Sequence, residues 1–542
     1  MKQLPIGVSD FRDLIVGNYY FIDKSAFIQE IVRDGAKVKL FTRPRRFGKT
    51  LNVSMLKYFF DITNAEENKK LFQGLSIESS PYFKEQGKCP VIYLSLKDIK
   101  EANWQDCNRR MRKLLSDLFD EYKYLRDSLD QRDLKNFDAI WMEELNGNYF
   151  DALKDLSKYL SRYHQKKVVI LLDEYDTPIV SAYENGYYQE AIIFFRTFYS
   201  AALKDNLFLE LGVMTGILRV AKEGIFSGLN NLAVYSILNE RYSSCFGLTE
   251  IEVQEALEYY QLEYNLQEVK KWYDGYCFGN VEIYNPWSII NYISNRKVGA
   301  YWVGTSNNVL VYDLLEKSGN DIFEDLQLVF QGESLFKTLD YSFSFQDMTN
   351  PNEIWQLLVH SGYLKVQRID EGEKYAISIP NLEIYSFFEK SFLNRFLGGI
   401  DLFQEMISEL KRGNIVFFER KLQSILLHSM SYHDISTHEK YYHNLVLGML
   451  LSLTKEYHIH SNQESGYGRY DLILEPKQND KMAYIFEFKV AKTEEDLEKK
   501  AEEALQQIAE REYYIELQKR GILHILTLGI AFYGKKLKVK VK

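Results

Sequence analysis

Three small groups of residues in this sequence have the types and spacing to do chemistry. Gly48-Lys49-Thr50 follows the apolar segment Lys39–Thr42 and opens a helical stretch, Leu51–Phe60. Amide hydrogens ahead of a helix N-terminus face an anion, a lysine at this place reaches the terminal phosphates, and a threonine hydroxyl can hold Mg²⁺. Val168–Leu172 is a continuous apolar run ending in Asp173 and Glu174. Such a run fits a parallel strand covered on both faces, whose C-terminal edge is where open α/β sheets bind ligands. Asp173 is placed to join the Mg²⁺ shell, and Glu174, one residue on, points elsewhere and can polarise an attacking water. Taken singly, the first group could be a chance tripeptide and the second a buried strand entering a polar loop. In this order the two favour a nucleotide site.

The third group is Asp471 with Glu487 and Lys489. Strand periodicity of two puts Glu487 and Lys489 on one face and Phe488 on the other. Asp471 lies on the neighbouring strand of the same hairpin. Two carboxylates can hold Mg²⁺ or Mn²⁺ as hard oxygen ligands, and the lysine can orient or deprotonate a nucleophile. Spacing alone leaves an exposed strand face with ordinary salt bridges as an equal alternative.

The elements that must position these groups read as follows. A helix over Ser25–Arg33 leads into the first strand, and Pro90–Leu96 is a second strand. Residues 102–164 are helical, and their basic cluster Arg109–Lys113 reads as a solvated face. Leu207–Gly216 is a strand beside the phosphate strand, where Thr215 is placed to sense a γ-phosphate and Arg219 to add positive charge; strand capping and solvation are the equal alternatives. Thr249 and Glu252 form a capping box. Residues 290–425 are mostly helical with short β pieces. The last part reads as a helix (Thr437–Tyr457), strands at Ser461–Ser465, Arg469–Leu474 and Ala483–Val490, a helix (Glu494–Glu512) and a strand (His524–Phe532). The tail Lys536–Lys542 alternates, so four lysines share one strand face and guard a sheet edge.

Composition sets the outer bounds. At 542 residues, 46% hydrophobic and 26% charged, the chain is globular and long enough for about three or four domains. A net charge of −9 excludes a general polyanion binder, so nucleic-acid contact must come from local basic patches. The four cysteines form no metal-type pair and fit a reducing cytoplasm. No apolar run approaches the ~18 residues of a membrane span. A cytoplasmic protein without membrane contact is expected.

The chain resembles a bacterial family of AAA-ATPase-like P-loop proteins with a C-terminal domain of the PD-(D/E)xK nuclease superfamily. The resemblance rests on Leu4-Pro5-Ile6-Gly7, Tyr20–Lys24, Arg43-Pro44-Arg45-Arg46-Phe47-Gly48-Lys49-Thr50, Leu172–Asp176, Thr215-Gly216, Phe226–Asn230 and Tyr284–Trp287. At the far end it rests on Gly468–Asp471, Glu487–Lys489, Gln507-Ile508 and Tyr513. It implies an α/β protein with a P-loop αβα sandwich and a mainly parallel sheet over residues 1–289. A helical linking region, 290–425, and a small restriction-endonuclease-like α/β domain, 426–542, follow. Arg45, Arg46, Phe47, Gly48, Lys49, Thr50, Asp173 and Thr215 would bind ATP and its Mg²⁺, with Glu174 as base. Asp471, Glu487 and Lys489 would take the metal and water roles of the nuclease, with Gln507 as an accessory. The general P-loop pattern has glycine where Arg43 stands, which eases the turn and the approach of phosphate.

The implied activity is Mg²⁺-dependent ATP hydrolysis that controls nucleic-acid binding or phosphodiester cleavage, with nucleotide and nucleic acid as partners. The alternatives are a nucleotide-switched binding or signalling protein with an inactive nuclease-like fold, and a structural protein with a decayed P-loop.

Overall fold

The computed structural model describes residues 1–220, 231–303, 333–339, 351–369, 374–388, 400–429, 456–461, 471–478 and 481–542, with isolated positions between them. The motif Phe226–Asn230, the residues Gly466, Tyr467 and Tyr470, and nearly all of the expected helix Thr437–Tyr457 lie outside the described residues. The chain divides into two compact units, Met1–Ser318 with Leu335–Ile384, and Gly319–Ser334 with Tyr385–Lys542. The expected linking region, 290–425, is thus shared between them.

The first unit is built on five parallel strands: β1 (Val38–Thr42), β2 (Val91–Ser95), β3 (Val168–Asp173), β4 (Leu209–Gly216) and β5 (Leu232–Tyr235). Their order across the sheet is β2-β3-β4-β1-β5. Every residue of β1 and β3 is buried, as a strand covered on both faces requires. Leu40, Ile92, Leu94, Ile170 and Leu172 share one core with the helices Trp104–Glu121, Gln131–Trp141, Ala152–His164 and Tyr188–Leu203. Helix Lys49–Phe60 runs along β2, β3 and β4. The chain leaves β1 for the far edge at β2, returns through β3 and β4, and then adds β5 on the other side of β1. That reversal beside β1 puts its C-terminal end at a topological switch point of the sheet.

Behind the loop lie the capping-box helix Glu250–Tyr259, the helix Leu266–Tyr273, the hairpin β6 (Tyr276–Phe278) and β7 (Val281–Ile283), and the helix Pro286–Asn295. A three-stranded antiparallel sheet, β8 (Leu335–Thr338), β9 (Lys365–Arg368) and β10 (Lys374–Ser378), completes this unit in the order β8-β10-β9.

The second unit carries a mixed sheet. Its strands are β11 (Tyr457–Ser461), β14 (Leu472–Pro476), β15 (Ala483–Val490), β16 (Ile525–Tyr533) and β17 (Lys536–Val541), in that order across the sheet. A two-stranded ladder, β12 (Glu464–Ser465) with β13 (Gly468–Arg469), lies between the first two in sequence. Tyr457 belongs to a strand and not to the expected helix: Tyr457-His458-Ile459-His460 alternates and pairs with β14. The tail does form an edge strand. Its lysines turn to carboxylates, Lys538 to Glu419 at 3.0 Å and Lys540 to Glu498 at 2.6 Å, while Leu537 and Val539 enter the core.

Gly529 on β16 faces the helix Leu497–Arg511. A Cβ there would lie 2.3 Å from the Ala501 carbonyl and 2.6 Å from the Leu505 nitrogen, so glycine sets how closely that helix packs.

Candidate functional site

In the first unit the loop Arg43–Thr50 runs from the end of β1 into helix Lys49–Phe60. Its left-handed turns fall on Arg46 (φ 70°) and Gly48 (φ 84°). Arg43 keeps an ordinary backbone, which is why glycine is dispensable there. Its guanidinium turns inward and is fully buried. It donates to the carbonyls of Thr42 and Tyr235, both at 2.8 Å, and lies over the rings of Phe246 and Phe278. Burial pushes its pKa down to about 9. Arg43 braces the loop against the end of β5.

Lys49 is buried and curls into the loop, where its ammonium donates to the carbonyls of Arg43 and Pro44 at 2.8 Å each. Burial lowers its pKa, and the charges of Glu174, Asp176 and Asp173 oppose the shift. Asp173 ends β3 fully buried. Thr50 donates to its Oδ2 at 2.8 Å and Thr215 to its Oδ1 at 2.6 Å. Burial raises the Asp173 carboxyl above its usual range, and the two hydroxyls hold the shift back. Parallel pairing of β4 with both β1 and β3 brings Thr215 to this place.

Glu174 follows in a left-handed conformation (φ 53°), which breaks the strand alternation. It accepts a hydrogen bond from Thr177 at 3.2 Å, and its charge faces both Lys49 and Arg46. Arg46 lies over the Trp287 ring at 4.1 Å. Phe47 is buried against Tyr276 and Phe278 of the β6–β7 hairpin. Arg45 is half-buried at the loop.

Two features of this site carried no role in the sequence reading. Asp176 is buried, accepts the amides of Ile217 and Leu218 at 2.7 and 2.9 Å, and faces Lys49. Its nearness to Asp173 and Glu174 was the available signal. Beside Gly48 and Leu51 there is also an almost wholly apolar cavity of about 100 Å³, walled by Leu4, Pro5, Tyr20 and Ile22 on one side and Pro286, Ile289 and Ile293 on the other. Arg219 is half-buried, its Nε without a hydrogen-bond partner among the described residues.

In the second unit β14 pairs with β15 so that Leu472 faces Phe486. Asp471 therefore falls opposite Glu487, and its Oδ2 accepts the amide of Phe488 at 2.7 Å. Glu487 is only 2% exposed. Its Oε1 accepts from the side-chain amide of Gln507 and, at 3.4 Å, from Lys489. Its Oε2 is buried with no hydrogen-bond partner among the described residues. Burial, with the Asp471 charge added, pushes its pKa up to about 8, against the pull of Lys489. Gln507 comes from helix Leu497–Arg511, where Tyr513 lies 3.4 Å from it. A buried carboxylate oxygen left without a donor costs stability and is what a hard cation satisfies. The donor set of Asp471 and Glu487 fits a divalent metal.

Two family models match this chain. A family described as "Predicted AAA-ATPase" matches residues 5–226, and the PD-(D/E)XK nuclease superfamily matches residues 437–542. A protein of Azotobacter chroococcum mcd 1, described as "Uncharacterized protein in vnfD 5'region", is similar along the length: 26% identical over 545 residues, covering 98% of this chain and 96% of that protein. Among the described residues no helix is long and apolar enough to cross a membrane. The chain thus joins an AAA-ATPase-like domain to a C-terminal domain of the PD-(D/E)XK nuclease superfamily.

Proposed function

We propose that this protein is an ATPase whose nucleotide cycle controls a metal-dependent nuclease on the same chain. The observation that carries the nuclease half is Glu487: a buried carboxylate with one oxygen unsatisfied, next to Asp471 and Lys489. In this reading Asp471 and Glu487 hold Mg²⁺ or Mn²⁺. A bound ion there supplies a more acidic water and stabilises charge developing at phosphorus. Lys489 orients the nucleophile, and Gln507 fixes the Glu487 rotamer through its amide.

For the first unit, the loop amides and Lys49 take the β- and γ-phosphates of ATP, which requires the ammonium to exchange the Arg43 and Pro44 carbonyls for phosphate oxygens. Thr50 and Asp173 hold Mg²⁺, Thr215 keeps Asp173 in place, and Glu174 takes the proton of the attacking water. In this reading Arg45 and Arg46 meet the phosphates from outside the loop, Arg46 leaving its place over the Trp287 ring to do so. The apolar cavity beside Gly48 and Leu51 receives the base. Nucleic acid is the proposed substrate of the second unit, and the cytoplasm the proposed location.

Paired ATPase and nuclease assays on wild type, Lys49→Ala and Glu487→Ala test this reading. Lys49→Ala should abolish ATP turnover and alter cleavage. Glu487→Ala should abolish cleavage and spare ATP turnover. ATP binding with no cleavage of DNA or RNA under any divalent metal would replace the reading with that of a nucleotide-switched binding protein. That alternative is favoured by the net charge of −9, which leaves nucleic-acid affinity to local patches.

A further inference from the structure

We propose that Glu383 is a positioning residue for nucleotide binding: it fixes Trp287 and Trp302, the two tryptophans beside the phosphate-loop residues Arg46 and Pro44. The inference rests on the reading of that loop as a nucleotide site, and it adds to the site a residue far along the chain that touches no phosphate.

Three side chains of the loop end on one wall. The Arg46 guanidinium lies over the Trp287 ring at 4.1 Å. Phe47 meets the Tyr276 ring at 5.0 Å, and Tyr276 in turn meets the buried Trp302 edge-on at 6.3 Å. Pro44 reaches the same wall at Gly362. A Cβ on that glycine would lie 2.9 Å from Pro44 Cβ and 3.5 Å from the Trp302 ring, so the two side chains flank it. Lys49 belongs to the same turn through its bond to the Pro44 carbonyl at 2.8 Å. The place of the wall therefore sets the place of the groups that would meet phosphate.

Glu383 holds that wall from behind. It is fully buried, and each of its oxygens takes a donor. Oε2 accepts from the hydroxyl of Ser288, the residue after Trp287, at 2.7 Å, and Oε1 accepts from the Trp302 amide. The Trp287 indole closes the ring of contacts by donating to the Tyr301 carbonyl at 3.2 Å. The segment carrying Glu383 is itself anchored: Asn381 donates to the Asp274 carbonyl at 2.8 Å and accepts the Ile384 amide at 3.1 Å. Hydrogen bonds have a narrow range of length and angle, so a carboxyl with one donor on each oxygen fixes the spacing between helix Pro286–Asn295 and Trp302. A misplacement of ~1 Å caused far from the reacting atoms can cost about a hundredfold in rate, which gives such a brace functional weight.

The test titrates the full chain with Mg²⁺ and a non-hydrolysable ATP analogue in a calorimeter. Glu383→Gln keeps an acceptor for the Trp302 amide and offers a donor to the Ser288 hydroxyl, so it should bind within about twofold of wild type. Glu383→Ala should bind about fivefold or more weakly, the low end of coupling between separate sites. The decisive measurement is the cycle with Arg46→Ala, whose link to Glu383 runs through Trp287 and Ser288. Independent sites add to within about twofold, whereas these two losses should fall short of adding by about threefold or more. If Glu383→Ala does not fold, Ser288→Ala, which removes one donor and leaves the acid, takes its place in the cycle. Additive losses, or unchanged affinity in Glu383→Ala, would overturn the proposal and confine Glu383 to stability, with the nucleotide site left standing. A wild-type chain that does not bind the analogue would overturn both together.

Discussion

Thr215 donates to Asp173 at 2.6 Å across two neighbouring strands, in a place where neither side chain meets water. The bond makes the next-to-last residue of β4 responsible for the carboxylate ending β3. A valine in place of Thr215 keeps the shape and removes the donor. Losing a hydrogen bond to a buried charged group costs about 1.5–3 kcal/mol. Thr215→Val should lower unfolding free energy by about that amount in denaturant titration and, in the proposed function, reduce ATP turnover.

Arg46 combines a strained backbone with a contact of modest value. Its φ of 70° suits glycine, whereas its guanidinium over Trp287 contributes ~0.5–1 kcal/mol at an exposed site. Arg46→Ala loses the ring contact and keeps the strain; Arg46→Gly loses the contact and releases the strain. The glycine variant should therefore melt above the alanine variant. Both should bind Mg²⁺–ATP several-fold more weakly than wild type in a titration, if Arg46 meets the phosphates as proposed. Equal affinity in all three chains would confine Arg46 to the Trp287 contact.

Glu383 gives the first unit a pH dependence of defined sign. It is fully buried, accepts from Ser288 at 2.7 Å and from the amide of Trp302, and burial pushes its pKa up from 4.5 to about 7. Because the folded state holds this proton more tightly than the unfolded one, its contribution is full below about pH 4.5. It is lost progressively as pH rises to about 7. Glu383→Gln should flatten the fall of melting temperature across that window, even where it lowers stability overall. A wild-type profile unchanged by the substitution would assign the slope to other groups.

Gly529 ties the packing of the second unit to its site. Any Cβ there meets backbone atoms of Ala501 and Leu505, which do not yield as a side-chain tip does. Gly529→Ala should cost about 1–3 kcal/mol as overpacking. It should also lift helix Leu497–Arg511, and with it Gln507, away from Glu487. In the proposed function the expected result is reduced cleavage with unchanged ATP turnover. A variant with wild-type stability would mean the helix shifts freely and that its spacing is not set at this glycine.

Much of the architecture is legible in the sequence because it follows from local rules. The apolar run Val168–Leu172 has one natural home, a central parallel strand, and its terminal carboxylate then falls at the sheet's ligand edge. The alternation around Glu487 and Lys489 fixes a shared face, and a hairpin register brings Asp471 opposite. What was not legible depends on tertiary packing. The general loop pattern predicts glycine at position 43, but the turn has moved to Arg46 and Gly48, leaving Arg43 free to brace β5. The helical reading through Tyr457 yielded to the period-two run Tyr457–His460.

The strand order has a consequence for synthesis. β1 pairs with β4 and β5 and not with β2, although β2 is the next strand to be made. A chain leaving the ribosome in order therefore carries an apolar, unpaired β1 through the whole stretch from Thr42 to Leu209. Partner segments so distant along the chain also slow folding. Nascent chains halted before Leu209 accordingly leave both edges of β1 without their native partners, and the brace from Arg43 to Tyr235 forms only after β5 is made.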